Sequence, residues 1–152
     1  MKEVSPMTGQ PVEILLVEDN EDDIVIIQEV FADMELTPII HTVRDGEAAL
    51  AYLRREGKYK VARVPDVVLL DINMPKKSGF EVLEEMKKDP RLQSLPVIML
   101  TTSHREEDVV RSYEKGACSY IHKLVDLDQF KQLIKQFEHY WTGVSRIPKL
   151  GE

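Results

Sequence analysis

Short β-branched runs alternate along this chain with longer amphipathic stretches, and that alternation constrains the fold more than any other feature. The runs are Ile14 to Val17, Ile39 to Val43, Val67 to Leu70, Val97 to Leu100 and Tyr120 to His122. Helical spacing of apolar residues follows each, near Asp22 to Met34, Gly46 to Arg55, Gly79 to Lys88, Glu106 to Lys115 and Asp126 to Trp141. Asp45 and Ser78 stand where helix N-caps belong, and Asp89-Pro90 and Gly116 mark helix ends. Strands that alternate strictly with helices predict five strands in a parallel sheet covered on both faces. A chain of 152 residues fits one such domain. We expect it over residues 12–142, with a flexible N-terminus at 1–11 and a tail at 143–152; Glu56 to Arg63 is a further stretch expected to be flexible.

Composition narrows the function classes. A net charge of -7 argues against a nucleic-acid partner, because a phosphate backbone repels an acidic surface. No window approaches the roughly 18 apolar residues of a membrane span, and Met1 to Val12 lacks the apolar core of a secretory signal. A cytoplasmic location without membrane contact is the expectation. Cys118 is the only cysteine, which excludes an internal disulfide and a cysteine-rich metal site. His41, His104, His122 and His139 are scattered without ligand spacing.

In an open parallel sheet, ligands bind beyond the carboxyl ends of the strands, where the strand order reverses. Four of the five runs end in groups suited to one site: Glu18-Asp19, Asp71, Thr101-Thr102 and Lys123. Together they supply carboxylate oxygens, a hydroxyl and a cation. Such a set suits Mg²⁺ and a phosphoryl group, with Asp19 and Asp71 able to bind the metal directly and the longer Glu18 through water. Lys123 can pair with Asp71 or with a phosphoryl oxygen. Glu21, Asp22 and Asp23 suit the start of a helix. They do not continue an EF-hand loop, because the glycine that such a loop requires does not follow the alternating Asp19, Glu21 and Asp23.

Several short motifs occur in a fixed order: Val17-Glu18-Asp19, Arg44 to Leu50, Asp71 with Met74-Pro75 and Gly79, Pro96 to Thr102, Gly116-Ala117, and Tyr120 with Lys123. By these the chain, from about Val12 to Trp141, resembles a receiver domain of bacterial two-component response regulators. The resemblance implies a flavodoxin-like doubly wound sheet of order 2-1-3-4-5. It makes Asp71 the phosphoacceptor, Glu18 and Asp19 the acidic pair that holds Mg²⁺, and the backbone carbonyl of Asn73 a further metal ligand. Thr101 matches the switch hydroxyl, Lys123 the motif lysine, and Tyr120 the aromatic whose orientation follows the state. Two positions depart from the family pattern: Glu18 stands where an aspartate is usual, and Leu124 replaces the proline after the lysine.

The function implied is that of a single-domain regulator taking a phosphoryl group from a sensor histidine kinase, then catalysing its own dephosphorylation and acting by protein contact. Arg54 to Pro65, Leu100 to His104 and Phe137 to Trp141 resemble the small regulators paired with phytochromes, which makes a phytochrome-type kinase the candidate donor. Two alternatives differ in class. A phosphorylation-independent binding module is left open by Glu18 and Leu124, whereas a haloacid-dehalogenase-type phosphatase requires a second aspartate where Asn73 stands. In the last helix Leu127, Phe130, Ile134, Phe137 and Trp141 form a core-facing stripe, with Leu133 and Tyr140 on its flank. Related receivers pair through the fourth helix, fifth strand and fifth helix, so a homodimer on that face is expected.

Overall fold

The computed structural model describes residues 12–32, 37–101, 106–117, 119–122 and 132. Its elements are β1 (Glu13–Val17), α1 (Glu21–Ala32), β2 (Ile39–Val43), α2 (Gly46–Leu53), β3 (Val67–Asp71), α3 (Gly79–Lys88), β4 (Val97–Thr101), α4 (Glu106–Glu114) and β5 (Ser119–His122). All strand pairs are parallel, in the order β2-β1-β3-β4-β5. That is the order of flavodoxin-like sheets, and its reversal falls between β1 and β3.

Burial explains why some runs read as unbroken apolar strings. β1, β3 and β4 are buried along their whole lengths, whereas β2 is an edge strand with exposed Ile39 and His41. Side chains of a strand alternate between faces. Leu15, Val17, Val68, Leu70, Val97 and Met99 therefore meet α2 and α3 on one side, through Ala49, Leu50, Phe80 and Leu83. Ile14, Leu16, Leu69, Ile98 and Leu100 meet α1 on the other through Ile24, Ile27 and Phe31. Two cores thus clamp the sheet, and removing a large side chain such as fully buried Phe31 costs about 3–5 kcal/mol on truncation to alanine. Among the described residues no helix is long and apolar enough to cross a membrane.

The caps fix where helices begin. Asp45 accepts a hydrogen bond from the Ala48 amide at 2.8 Å. Ser78 and Glu81 form a reciprocal capping box at the start of α3: the Ser78 hydroxyl accepts from the Glu81 amide at 3.2 Å, and the Glu81 carboxylate accepts from the Ser78 amide at 2.9 Å. Asn20 does the same service for α1, accepting from the Asp23 amide at 3.0 Å.

One helix end needs correction, and one stretch read without structure carries a turn. The second helix ends at Leu53, not at Arg55. The Arg55 amide donates to the Tyr52 carbonyl (3.1 Å) and the Glu56 amide to the Ala51 carbonyl (2.9 Å), the pairing of a Schellman motif with Arg55 in the left-handed position at φ 56°. The stretch Glu56 to Arg63, expected to be flexible, contains a 3-10 turn at Gly57–Tyr59. Its Tyr59 ring lies 5.2 Å from that of Tyr52, and the Ala62 amide donates to the Tyr59 carbonyl at 3.0 Å. Lys123, Leu124 and the apolar residues expected on the last helix, Leu127 to Trp141, lie outside the described residues, as do Thr102 and Cys118.

Candidate functional site

β1 and β3 are adjacent, with Val17 opposite Leu70, so the residues that follow each strand emerge side by side. Glu18 is fully buried, Asp71 is almost so, and Asp19 is exposed at the mouth. Carboxylate oxygens of Glu18, Asp19 and Asp71 all lie within 4.8 Å of one another. Like charges at that separation repel, and the repulsion is stronger where burial lowers the effective dielectric. A set of three carboxylates is a donor set for a hard divalent cation, whose charge offsets that repulsion. The residues present therefore fit a site for Mg²⁺ or Mn²⁺.

The surrounding backbone holds these groups in place. The Glu18 amide donates to the Val43 carbonyl at 3.0 Å, tying the end of β1 to the end of β2. The Glu18 side chain accepts from the Asn20 amide at 3.2 Å. The Asn73 amide approaches Asp71 Oδ1 at 3.4 Å, a long contact that puts the Asn73 backbone at the edge of the site.

Gly79 is required by close approach: a Cβ there would collide with the Asp71 carbonyl oxygen and lie 2.8 Å from Ile72 Cα. Its amide donates to the Ile72 carbonyl at 2.7 Å, which folds α3 back against the end of β3. Gly46 gives the same clearance to Lys77, whose Cβ and carbonyl oxygen would stand 2.6 Å from an added Cβ. Further along, Lys77 hydrogen-bonds Glu85 at 2.7 Å; the bond holds the ammonium above its ordinary pKa and the carboxyl below its own. Lys76, at φ 70°, sits 3.8 Å from Asp45 and 4.0 Å from Glu47. The loop after Asp71 is thus fastened to both α2 and α3.

Thr101 is fully buried at the end of β4, one residue beyond Leu100, which pairs with Asp71. Tyr120 on β5 pairs with Met99 and packs, partly buried, against the core beneath α2 and α3. The structure therefore brings together Glu18, Asp19 and Asp71, sets Asn73 beside them and places Thr101 on the neighbouring strand end. Asn20 was not anticipated as a site residue, although an asparagine three residues before Asp23 is an N-cap signal.

A parallel sheet of this order with acidic residues gathered at its carboxyl edge defines a class, and the sequence comparison agrees: residues 14–135 match the response regulator receiver domain. The chain belongs to the response regulator receiver family and is a two-component signalling protein. It is 39% identical over 145 residues to the response regulator Rcp1 of Synechocystis sp., covering 95% of this chain and 99% of that protein. Among solved structures, the phosphorylated cyanobacterial phytochrome response regulator RcpA superposes with a TM-score of 0.78 at 45% identity, covering 91% of this chain and 99% of that one. The Mn²⁺-bound form of Rcp1 superposes with a TM-score of 0.77 at 40% identity, covering 91% of this chain and 100% of that one.

Proposed function

We propose that the carboxylate of Asp71 accepts a phosphoryl group from the phosphohistidine of a sensor histidine kinase. The observation that carries this reading is the convergence of Glu18, Asp19 and Asp71 within 4.8 Å at the carboxyl edge of the sheet. An Asp71 oxygen attacks phosphorus and an acyl phosphate P–O bond forms as the histidine N–P bond breaks; with the second ring nitrogen of the phosphohistidine protonated, neutral imidazole departs with the bond's electron pair. Transfer of this kind depends on positioning and on neutralising charge more than on proton movement.

Mg²⁺ is the cofactor in this reading: Asp19 and Asp71 would hold it, Glu18 would act through water and the Asn73 carbonyl would be a further ligand, and the ion would neutralise negative charge on the phosphoryl oxygens. The Mn²⁺-bound form of Rcp1 supports a divalent cation in this fold. Lys123, carried over from the family motif, supplies a second positive charge, and the same site catalyses the later hydrolysis of the acyl phosphate. The Thr101 hydroxyl then moves to hydrogen-bond a phosphoryl oxygen, and Tyr120 turns into the space behind it. Such coupling needs only a few kcal/mol to shift a two-state population.

The domain assigned this role spans residues 12–142. The likeness to RcpA, a phytochrome response regulator, supports a phytochrome-type kinase as donor; a cytoplasmic site of action and output by protein contact, with a homodimer through α4, β5 and the last helix, complete the proposal. Phosphoryl uptake by Asp71→Asn tests the central role. Incubated with acetyl phosphate and Mg²⁺, the wild-type chain takes up phosphate and the folded variant takes up none; equal uptake by both moves the acceptor elsewhere. Thr101→Ala separates chemistry from switching. Its uptake persists while the NMR response of Tyr120 shrinks, and a full response removes Thr101 from the switch.

A further inference from the structure

The helices run antiparallel to the strands they cover, so α2 and α3 end at the edge of the sheet opposite Asp71. There a cavity of about 310 Å³ opens between the end of α2, the approach to β3 and the loop after α3. Every charged side chain lining it is an arginine: Arg54, Arg55 and Arg91. Leu53, Val64 and Leu92 supply its apolar wall. Nearby Asp89, Glu85 and Glu56 offset part of the arginine charge.

Two of the three arginines already have acidic partners behind the cavity. Arg54 lies 3.3 Å from Asp89 and 3.7 Å from Glu85, and Arg91 lies 3.1 Å from Asp89. Glu56 also acts on Arg91 through its charge. Among the described residues, no carboxylate forms an ion pair with Arg55.

Arg55 also occupies the left-handed position of the α2 Schellman motif, φ 56°, where glycine sits without strain and an L side chain does not. A residue that lines the arginine-rich cavity is therefore held in a costly backbone conformation. Local strain of this kind is a pointer to function when it is observed and not assumed.

We propose that this cavity docks an acidic segment of a partner polypeptide, with a carboxylate on the Arg55 fork and a neighbouring aliphatic side chain against Leu53, Val64 and Leu92. The guanidinium matches a carboxylate with two parallel hydrogen bonds. The volume is at the small end for ligand sites, roughly 300–1,000 Å³, and suits one aliphatic group beside a carboxylate. No aromatic ring lines the cavity to stack a nucleotide base. Because the acidic site lies at the other edge of the sheet, a partner held here leaves Asp71 open to its phosphodonor.

The test uses the full chain and a fluorescein-labelled peptide of alternating leucine and glutamate, read by anisotropy, with a leucine–glutamine peptide as control. The acidic peptide binds saturably and the control does not. Arg55→Gly, which suits the left-handed backbone, weakens binding about tenfold or more while the melting temperature holds or rises. Three results would overturn the proposal: no saturable binding, equal binding by Arg55→Gly, or displacement by inorganic phosphate as effective as by unlabelled acidic peptide. The last would assign the cavity to small anions.

Discussion

Both edges of the sheet hold buried carboxylates, and they treat them differently. At the amino edge the Asp66 side chain accepts from the Glu13 amide at 2.8 Å, while the Asp66 amide donates to the Glu13 carbonyl at 2.7 Å. Around the Glu13 carboxylate stand Arg63 at 3.2 Å and His41 at 3.5 Å. Its charge also acts on Tyr52, whose hydroxyl is raised above its ordinary pKa first by burial and then by Glu13. At the carboxyl edge, Glu18, Asp19 and Asp71 point at one another. Acids tied to amides and cations of the chain itself stabilise a strand junction. Three carboxylates whose oxygens converge within 4.8 Å form a donor set for an added divalent cation, and that convergence is the difference between a structural cluster and a site.

Among substitutions that compare the two edges, the largest effect on stability is expected where α3 meets the end of β3 backbone to backbone. Gly79→Ala drives a Cβ into the Asp71 carbonyl and must separate α3 from β3, costing about 3 kcal/mol, the upper part of the overpacking range. Thermal or urea unfolding measures this, and a variant as stable as wild type would show that the junction yields easily.

Next comes a contrast in sign between the two edges. Asp66→Ala removes the acceptor from the buried Glu13 amide and should cost about 1–3 kcal/mol. Asp19→Asn relieves repulsion, so the metal-free protein should gain slightly in melting temperature while its affinity for Mg²⁺ falls about tenfold or more. Both are read by denaturation and by cation titration. Destabilisation of the metal-free protein by Asp19→Asn would remove the distinction between the edges.

A smaller effect lies outside both clusters, at Asp89. Side-chain and backbone hydrogen bonds from Arg91, then the bond from Arg54, lower its carboxyl from 3.8 to about 2. A pKa depressed by folding adds stability above the unfolded value, and that stability is lost as pH falls through the folded one. The gap between wild type and Asp89→Asn should therefore be constant above pH of about 4 and close between about 4 and about 2. Acid titrations of unfolding check this; a gap that stays open below pH of about 2 would contradict the assignment. Least of all, Arg44→Ala breaks an exposed pair with Glu21 and should change stability by about 0–1 kcal/mol.

Much of the carboxyl edge was legible in the sequence because its parts sit at strand ends. Apolar runs stopping at Glu18, Asp71 and Thr101, together with parallel pairing, place these residues at one edge before any coordinates are known. The caps Asp45 and Ser78 were readable for a local reason, since a short polar side chain accepts from an amide three residues on. The end of α2 was not. Its left-handed residue is Arg55, so the glycine that normally signals such an end is absent, and Gly57 follows two residues late. The turn at Gly57–Tyr59 was not legible, because polar composition hides the contact of the Tyr59 ring with that of Tyr52, seven residues earlier. The arginine-lined cavity was invisible for a similar reason: Arg54 and Arg55 meet Arg91 only through tertiary packing.

Intact-mass spectrometry after incubation with acetyl phosphate, followed by peptide mapping, tests most directly which edge is the site. With Mg²⁺ present the account predicts one phosphoryl group per chain, located on Asp71 and absent when the cation is chelated. An adduct on Asp66 or Glu13, or a modification of Asp71 indifferent to chelation, would contradict it.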